Sequence, residues 1–119
     1  MHNIEITFYK NRNNKCPVRE FLDALDWKEA KKITRVLKAI KEIENLLKLY
    51  FKKLRGTDDI WECRIKCNKK FIRILCFFTS NSNLILTHGF FKKDNKVSIN
   101  EIKKAEIYKK EYLERVKNG

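Results

Sequence analysis

The sequence predicts one α+β domain in the order β-α-α-β-β-β-α, with a single small, mixed, mostly antiparallel sheet carrying the helices. Three observations predict it. Apolar residues recur with a helical period between Pro17 and Tyr50, and again after Ser98. From Ile60 to Phe91 the period falls to that of a strand. Two connections there, Cys67-Asn68-Lys69-Lys70 and Ser80-Asn81-Ser82-Asn83, are short and rich in turn residues, which is the pattern of antiparallel hairpins. A chain of 119 residues fits one domain spanning 1–119, and no repeat or linker divides it.

Ile4-Glu5-Ile6-Thr7-Phe8-Tyr9 reads as the first strand, and the polar run Lys10 to Lys15 as a connection. Pro17 suits the first turn of a helix whose apolar face is Val18, Phe21, Leu22 and Leu25. Asp26 caps a second, longer helix to about Tyr50, with the stripe Ile33, Val36, Leu37, Ile40, Ile43, Leu47. Lys28, Lys31, Lys32, Lys38 and Lys41 fall mostly on its wet side. Strands follow at about Ile60–Lys66, Phe71–Phe78 and Asn83–Phe91. Ser98 and Glu101 form a capping box that opens a last helix, with Ile102, Ala105, Tyr108, Tyr112 and Val116 along one side.

The composition narrows the function. Net charge is +13, beyond what solubility alone requires, and favours a polyanionic partner, nucleic acid first. Between Lys52 and Lys96 stand 11 basic and 4 acidic residues. Eight Phe, four Tyr and two Trp are too many aromatics for a disordered basic tail. The longest apolar run, Ile74 to Phe78, is far short of the ~18 residues that span a membrane. Met1 to Glu5 carries no secretory pattern, so a soluble, cytoplasmic protein is expected. Cys63 and Cys67 invite a metal reading, but residues four apart on a strand are separated by ~13 Å, too far to share one ion. Reduced structural thiols and no metal are expected at Cys16, Cys63, Cys67 and Cys76.

Counting outward from the two turns predicts which side chains meet. On one face Trp61 meets Cys76, Cys63 meets Ile74 and Ile65 meets Ile72. Across the second hairpin Phe78 meets Ile85, Cys76 meets Thr87, Ile74 meets Gly89 and Ile72 meets Phe91. This apolar face is the floor for the helices. On the opposite face Arg64 sits opposite Arg73, and Arg73 beside Phe90. One step along are Glu62, Leu75 and His88; one step the other way are Lys66, Phe71 and Lys92. Like charges directly opposite on a sheet are unfavourable, so the facing arginines imply an anion site, unless Glu62 neutralises one of them. On that reasoning, removing Arg73 is expected to leave the melting temperature unchanged or raised. Phe90 suits either the stacking of a splayed base or packing under the last helix. The same face is expected to expose Leu75, Phe77, Leu84 and Leu86 to a partner segment.

Lys53-Leu54-Arg55-Gly56, Ile60-Trp61-Glu62-Cys63-Arg64-Ile65, Phe71-Ile72-Arg73-Ile74-Leu75 and His88-Gly89-Phe90-Phe91-Lys92-Lys93, with Lys96, form an ordered series over nearly the whole chain. The series resembles the RelE/ParE superfamily of small bacterial toxins, specifically its HigB-like branch. Asp94-Asn95-Lys96-Val97-Ser98 departs from it where a proline is usual, and Phe71 stands where related chains often carry Tyr. The resemblance implies a type II toxin that cuts mRNA on the ribosome without a metal. The ribose 2′-OH would attack its own 3′-phosphodiester, leaving a 2′,3′-cyclic phosphate and a 5′-OH. It implies partners too: mRNA, the ribosome and a small antitoxin, helix-turn-helix or acidic, with no membrane. Such chemistry needs a base, an acid and cations for the phosphorane charge. Arg64 and Arg73 are candidate phosphate clamps and Phe90 the stacking platform. Lys92 and Lys53 would add charge or move protons, and Lys66, Lys93 and Lys96 would bind RNA. His88 is either catalytic or a structural histidine packed on Leu75, and Glu62 orients Arg64 or acts as a base. ParE-like relatives share the fold and poison gyrase, so a gyrase inhibitor and a non-catalytic nucleic-acid-binding module are the alternatives.

Overall fold

Local signals start and stop the helices of the N-terminal half. The computed structural model describes residues 4–43, 45–79, 82–92 and 96–118. Pro17 opens α1 (Pro17–Ala24), which buries Val18 and Leu22. Asp26 caps α2 (Trp27–Glu42) through a reciprocal capping box: its carboxylate accepts from the Glu29 N–H at 2.8 Å, and Glu29 accepts from the Asp26 N–H at 3.3 Å. Ile33, Val36, Leu37 and Ile40 form the buried stripe. The helix expected to reach Tyr50 ends earlier. Ile43 is extended and exposed, and a short α3 (Asn45–Tyr50) follows. That break turns Leu46, Leu47 and Tyr50 onto the core. A three-residue strand, β2 (Phe51–Lys53), is a second element absent from the sequence reading; it is too short to show a period.

The remaining strands are β1 (Glu5–Phe8), β3 (Trp61–Cys67), β4 (Lys70–Phe78) and β5 (Asn83–Phe91), and α4 (Ile99–Asn118) closes the chain. Their order in the sheet is β1-β5-β4-β3-β2, antiparallel except for β1 beside β5. The fold is thus the expected small α+β domain, with two short elements added. The β3–β4 register is the one expected, Arg64 opposite Arg73 included. The β4–β5 register holds from Ile72↔Phe91 to Leu75↔His88 and then shifts. A bulge leaves Thr87 without a partner, so that Cys76 meets Leu86 and Phe78 meets Leu84 rather than Thr87 and Ile85.

The shift decides what lies on each face. Leu84 and Leu86 join the larger core with Ile4, Ile72, Ile74 and Cys76, covered by α1, α2 and α3. Ile85 turns the other way to Phe77 and Tyr9, beneath Tyr108 and Tyr112 of α4. Leu75 packs with Ile60 and Ala105. The expected apolar patch of Leu75, Phe77, Leu84 and Leu86 is therefore wholly buried, because both faces of the sheet carry helices. Cys63, Cys67 and Cys76 are free thiols inside the larger core, and burial pushes the Cys63 thiol up to about 12. No helix among the described residues is long and apolar enough to cross a membrane.

Gly89 lets α1 lie close on β5. A Cβ placed there would stand 2.6 Å from Cδ2 of Phe21, whose ring also meets Phe91 at 5.4 Å. Gly89→Ala should lower stability in urea unfolding by about 1–3 kcal/mol, an overpacking cost. Adding Phe21→Leu should recover part of that loss. Additive losses in the double variant would show that the contact is not what excludes a side chain.

Candidate nucleic-acid site

Three pieces of the chain build one cationic groove. Its floor is the α4-facing side of β3, β4 and β5, with Glu62, Arg64, Arg73 and Phe90. One wall is the approach to α4 and its first turn, including Val97, Ser98 and Glu101. The other is β2 and the segment after it, Lys52 to Arg55. Two adjoining chambers result, of about 420 and 710 Å³, sharing Glu62, Arg73, Lys92, Lys96 and Val97. The wall after β2 is pinned to α4. Lys109 Nζ donates to the Asp58 carbonyl at 2.6 Å, and the Asp58 N–H donates to Glu106 at 2.9 Å.

Arg73 lies at the junction of the chambers. Its side chain is only 6% exposed, and Nη1 is 3.2 Å from Oε1 of Glu62, which is itself buried. Arg64 Nε is 4.0 Å from the same oxygen and its side chain is half exposed. One carboxylate thus faces two guanidinium groups, and among the described residues Arg73 Nε has no hydrogen-bond partner. Burial lowers the Arg73 pKa, Glu62 opposes that, and Arg64 adds to it; a guanidinium nevertheless stays charged. A buried, charged N–H without a partner is costly, and it marks Arg73 as a guanidinium that its single carboxylate does not fully satisfy. Because Arg73 is bound to Glu62, its removal leaves a buried carboxylate with only a distant partner. The expected neutral or raised melting temperature of an Arg73 deletion is therefore corrected to a loss of stability.

His88 lies behind the groove rather than in it. Its Nε2 is 3.2 Å from Glu101 Oε1 and its Nδ1 is 3.1 Å from Thr87 Oγ1. The Thr87 hydroxyl also reaches the Leu75 carbonyl at 2.9 Å. Burial pushes the imidazole down to about 4, against the opposing charge of Glu101, so the ring is neutral at pH 7. Phe90 stacks on this ring at 5.7 Å and packs against the Ile60, Leu75, Ala105 cluster, half-buried at the groove floor. The Ser98 hydroxyl accepts from the Glu101 N–H at 3.3 Å, so one half of the capping box is present while the Glu101 carboxylate meets His88.

Of the residues singled out from sequence, Lys53, Arg64, Arg73, Phe90, Lys92 and Lys96 line the groove. Lys53 also pairs with Asp59 at 2.8 Å. Lys66 stands one row away beside the Phe71 ring, and Lys93 is outside the described residues. Lys52, Arg55 and Glu101 were missed as site residues. Glu101 carried a signal, the capping box, that accounted for it as helix chemistry alone. Among the described residues no cluster of His, Cys, Asp and Glu could hold a metal ion.

The family described as phage derived protein Gp49-like (DUF891) matches residues 20–110, which include the whole of β2 to β5 and the first half of α4. The chain belongs to that family. It is a family of RelE-like, toxin-like proteins. No match was found among curated proteins.

The depressed His88 pKa predicts a pH dependence. The unfolded chain takes up a proton near the ordinary value of 6.5, whereas the folded chain resists until about 4. Stability is therefore lost as pH falls through this window. Between pH 7.5 and 5 the contribution of His88 is about 2 kcal/mol. Urea unfolding over that range should be markedly flatter for His88→Gln than for the parent protein, and equal slopes would show that His88 is not the group responsible.

Proposed function

We propose that this Gp49-like chain is the toxin of a type II toxin–antitoxin pair and acts, as HigB-like proteins do, as a ribosome-dependent mRNA endonuclease. The observation that carries the reading is Arg73, a buried guanidinium with an unpartnered Nε, set between two chambers lined by Arg64, Lys53, Lys92 and Lys96. Cations held in place before the reaction stabilise a phosphorane without reorganising, which suits attack by the neighbouring 2′-OH. Arg64 and Arg73 hold the scissile phosphate. Lys92 and Lys53 face the developing charge or move protons, and Phe90 forms the floor beneath a base. Glu62 orients the two arginines. His88, neutral and bonded to Glu101, holds Phe90 and the first turn of α4 in place rather than exchanging protons with RNA.

The experiment is primer extension on a reporter mRNA, with and without ribosomes, after induction of the protein. Arg73→Ala should lower cleavage by about 10²–10³, the usual loss for one preorganised donor. It should also lower the melting temperature. Adding Glu62→Gln should restore stability in part, since the stranded charge is removed, and should not restore cleavage. Arg73→Lys should rescue cleavage only in part, because a point charge does not reproduce the fork. Intact mRNA accompanied by double-strand DNA breaks would instead support gyrase poisoning.

The antitoxin we propose is acidic where it meets the groove. With Leu75, Phe77, Leu84 and Leu86 buried, that apolar patch is closed to a partner, and the cations of the groove supply the main attraction. The affinity of the pair should fall steeply between low and high salt in a titration, and salt-insensitive binding would count against this contact.

A further inference from the structure

The groove leaves one aromatic side chain unexplained. Phe71 is 46% exposed at the start of β4, beyond the row that holds Arg64 and Arg73. It belongs to none of the buried clusters and, among the described residues, meets no other ring. Two ammonium groups attend it instead. Lys66 Nζ lies 5.4 Å and Lys92 Nζ 5.7 Å from the ring centre. The Lys92 N–H donates to the Phe71 carbonyl at 2.8 Å, so strand pairing fixes the spacing. A depression of about 360 Å³ borders the ring and shares Lys92 with the cationic groove.

We propose that Phe71, flanked by Lys66 and Lys92, is a stacking subsite for an unpaired nucleobase of an RNA strand whose phosphate sits at Arg73. This rests on the nucleic-acid reading of the groove. Phe71 and Arg73 are two residues apart on one strand, ~6.6 Å along it and on the same face. A phosphate held at Arg73 and a base laid on Phe71 thus belong to one short stretch of backbone. The flanking lysines suit this arrangement, since each can leave the ring for a phosphate oxygen while the ring offers its face to any base. Phe90, by contrast, is half-buried and already stacked on His88.

The test is equilibrium binding by fluorescence anisotropy. The probes are a short single strand with 2′-O-methyl riboses, which lacks the attacking hydroxyl, and an abasic strand with the same number of phosphates. Phe71→Leu should weaken the base-bearing strand about fivefold to hundredfold and leave the abasic strand unchanged. Phe71→Trp should keep the affinity, and its added emission should be quenched by the base-bearing strand only. An unchanged affinity in Phe71→Leu, an equal loss on both strands, or no binding of the base-bearing strand by the parent protein would each overturn the subsite. The underlying reading fails separately. If ribosomal mRNA stays intact while binding depends on Phe71, the nuclease is wrong and the subsite stands. If mRNA is cut and Phe71→Leu cuts and binds like the parent, only the subsite is wrong.

Discussion

The extra residue Thr87 in β5 is the constraint on which the rest of the molecule depends. By leaving Thr87 unpaired, the bulge turns Leu84 and Leu86 towards α1, α2 and α3 and Ile85 towards α4. A regular ladder would reverse all three, and one-residue shifts move every side chain to the other face. The same residue starts a chain of contacts: Thr87 to His88, His88 to Glu101, and Glu101 to the first turn of α4. That turn is a wall of the groove. Sheet irregularity and site architecture are one feature here.

Charge organises the other half of the site. Arg64 and Arg73 face each other at a point where pairing of like charges is unfavourable, and among the described residues a single carboxylate, Glu62, holds them there. One carboxylate cannot satisfy two guanidinium groups, and the orphan Nε of Arg73 records the shortfall. A groove with this residual demand for an anion, ringed by further lysines, is suited to a phosphodiester. The stability that Glu62 and Arg73 lend each other also means that function and folding are linked at this position.

Much of the fold was legible in the residues. Pro17, through its fixed φ, and Asp26 and Ser98 with Glu101, through local hydrogen bonding, marked three helix starts that need no tertiary context. The β3–β4 register was legible because a tight turn and two alternating strands admit only one pairing that keeps the faces distinct. Hence Arg64, Arg73 and Phe90 could be placed side by side from sequence. Phe71, in the next row, was placed as well, but its exposure was not readable. That depends on which elements cover each face of the sheet, and Phe71 joins none of the buried clusters.

What the sequence determined by itself are the features set by neighbours along the chain or across one hairpin: helix caps, strand period, the arginine pair and the net charge. The tertiary structure alone decided the rest. The break after Glu42 follows from packing Leu46, Leu47 and Tyr50 on a core that periodicity does not describe. The bulge at Thr87 depends on what both faces of β5 must bury at once. The lowered pKa values of His88 and Arg73 arise from desolvation, which sums over all surrounding elements. Burial is a property of the assembled layers, and no spacing of residues along one chain encodes it.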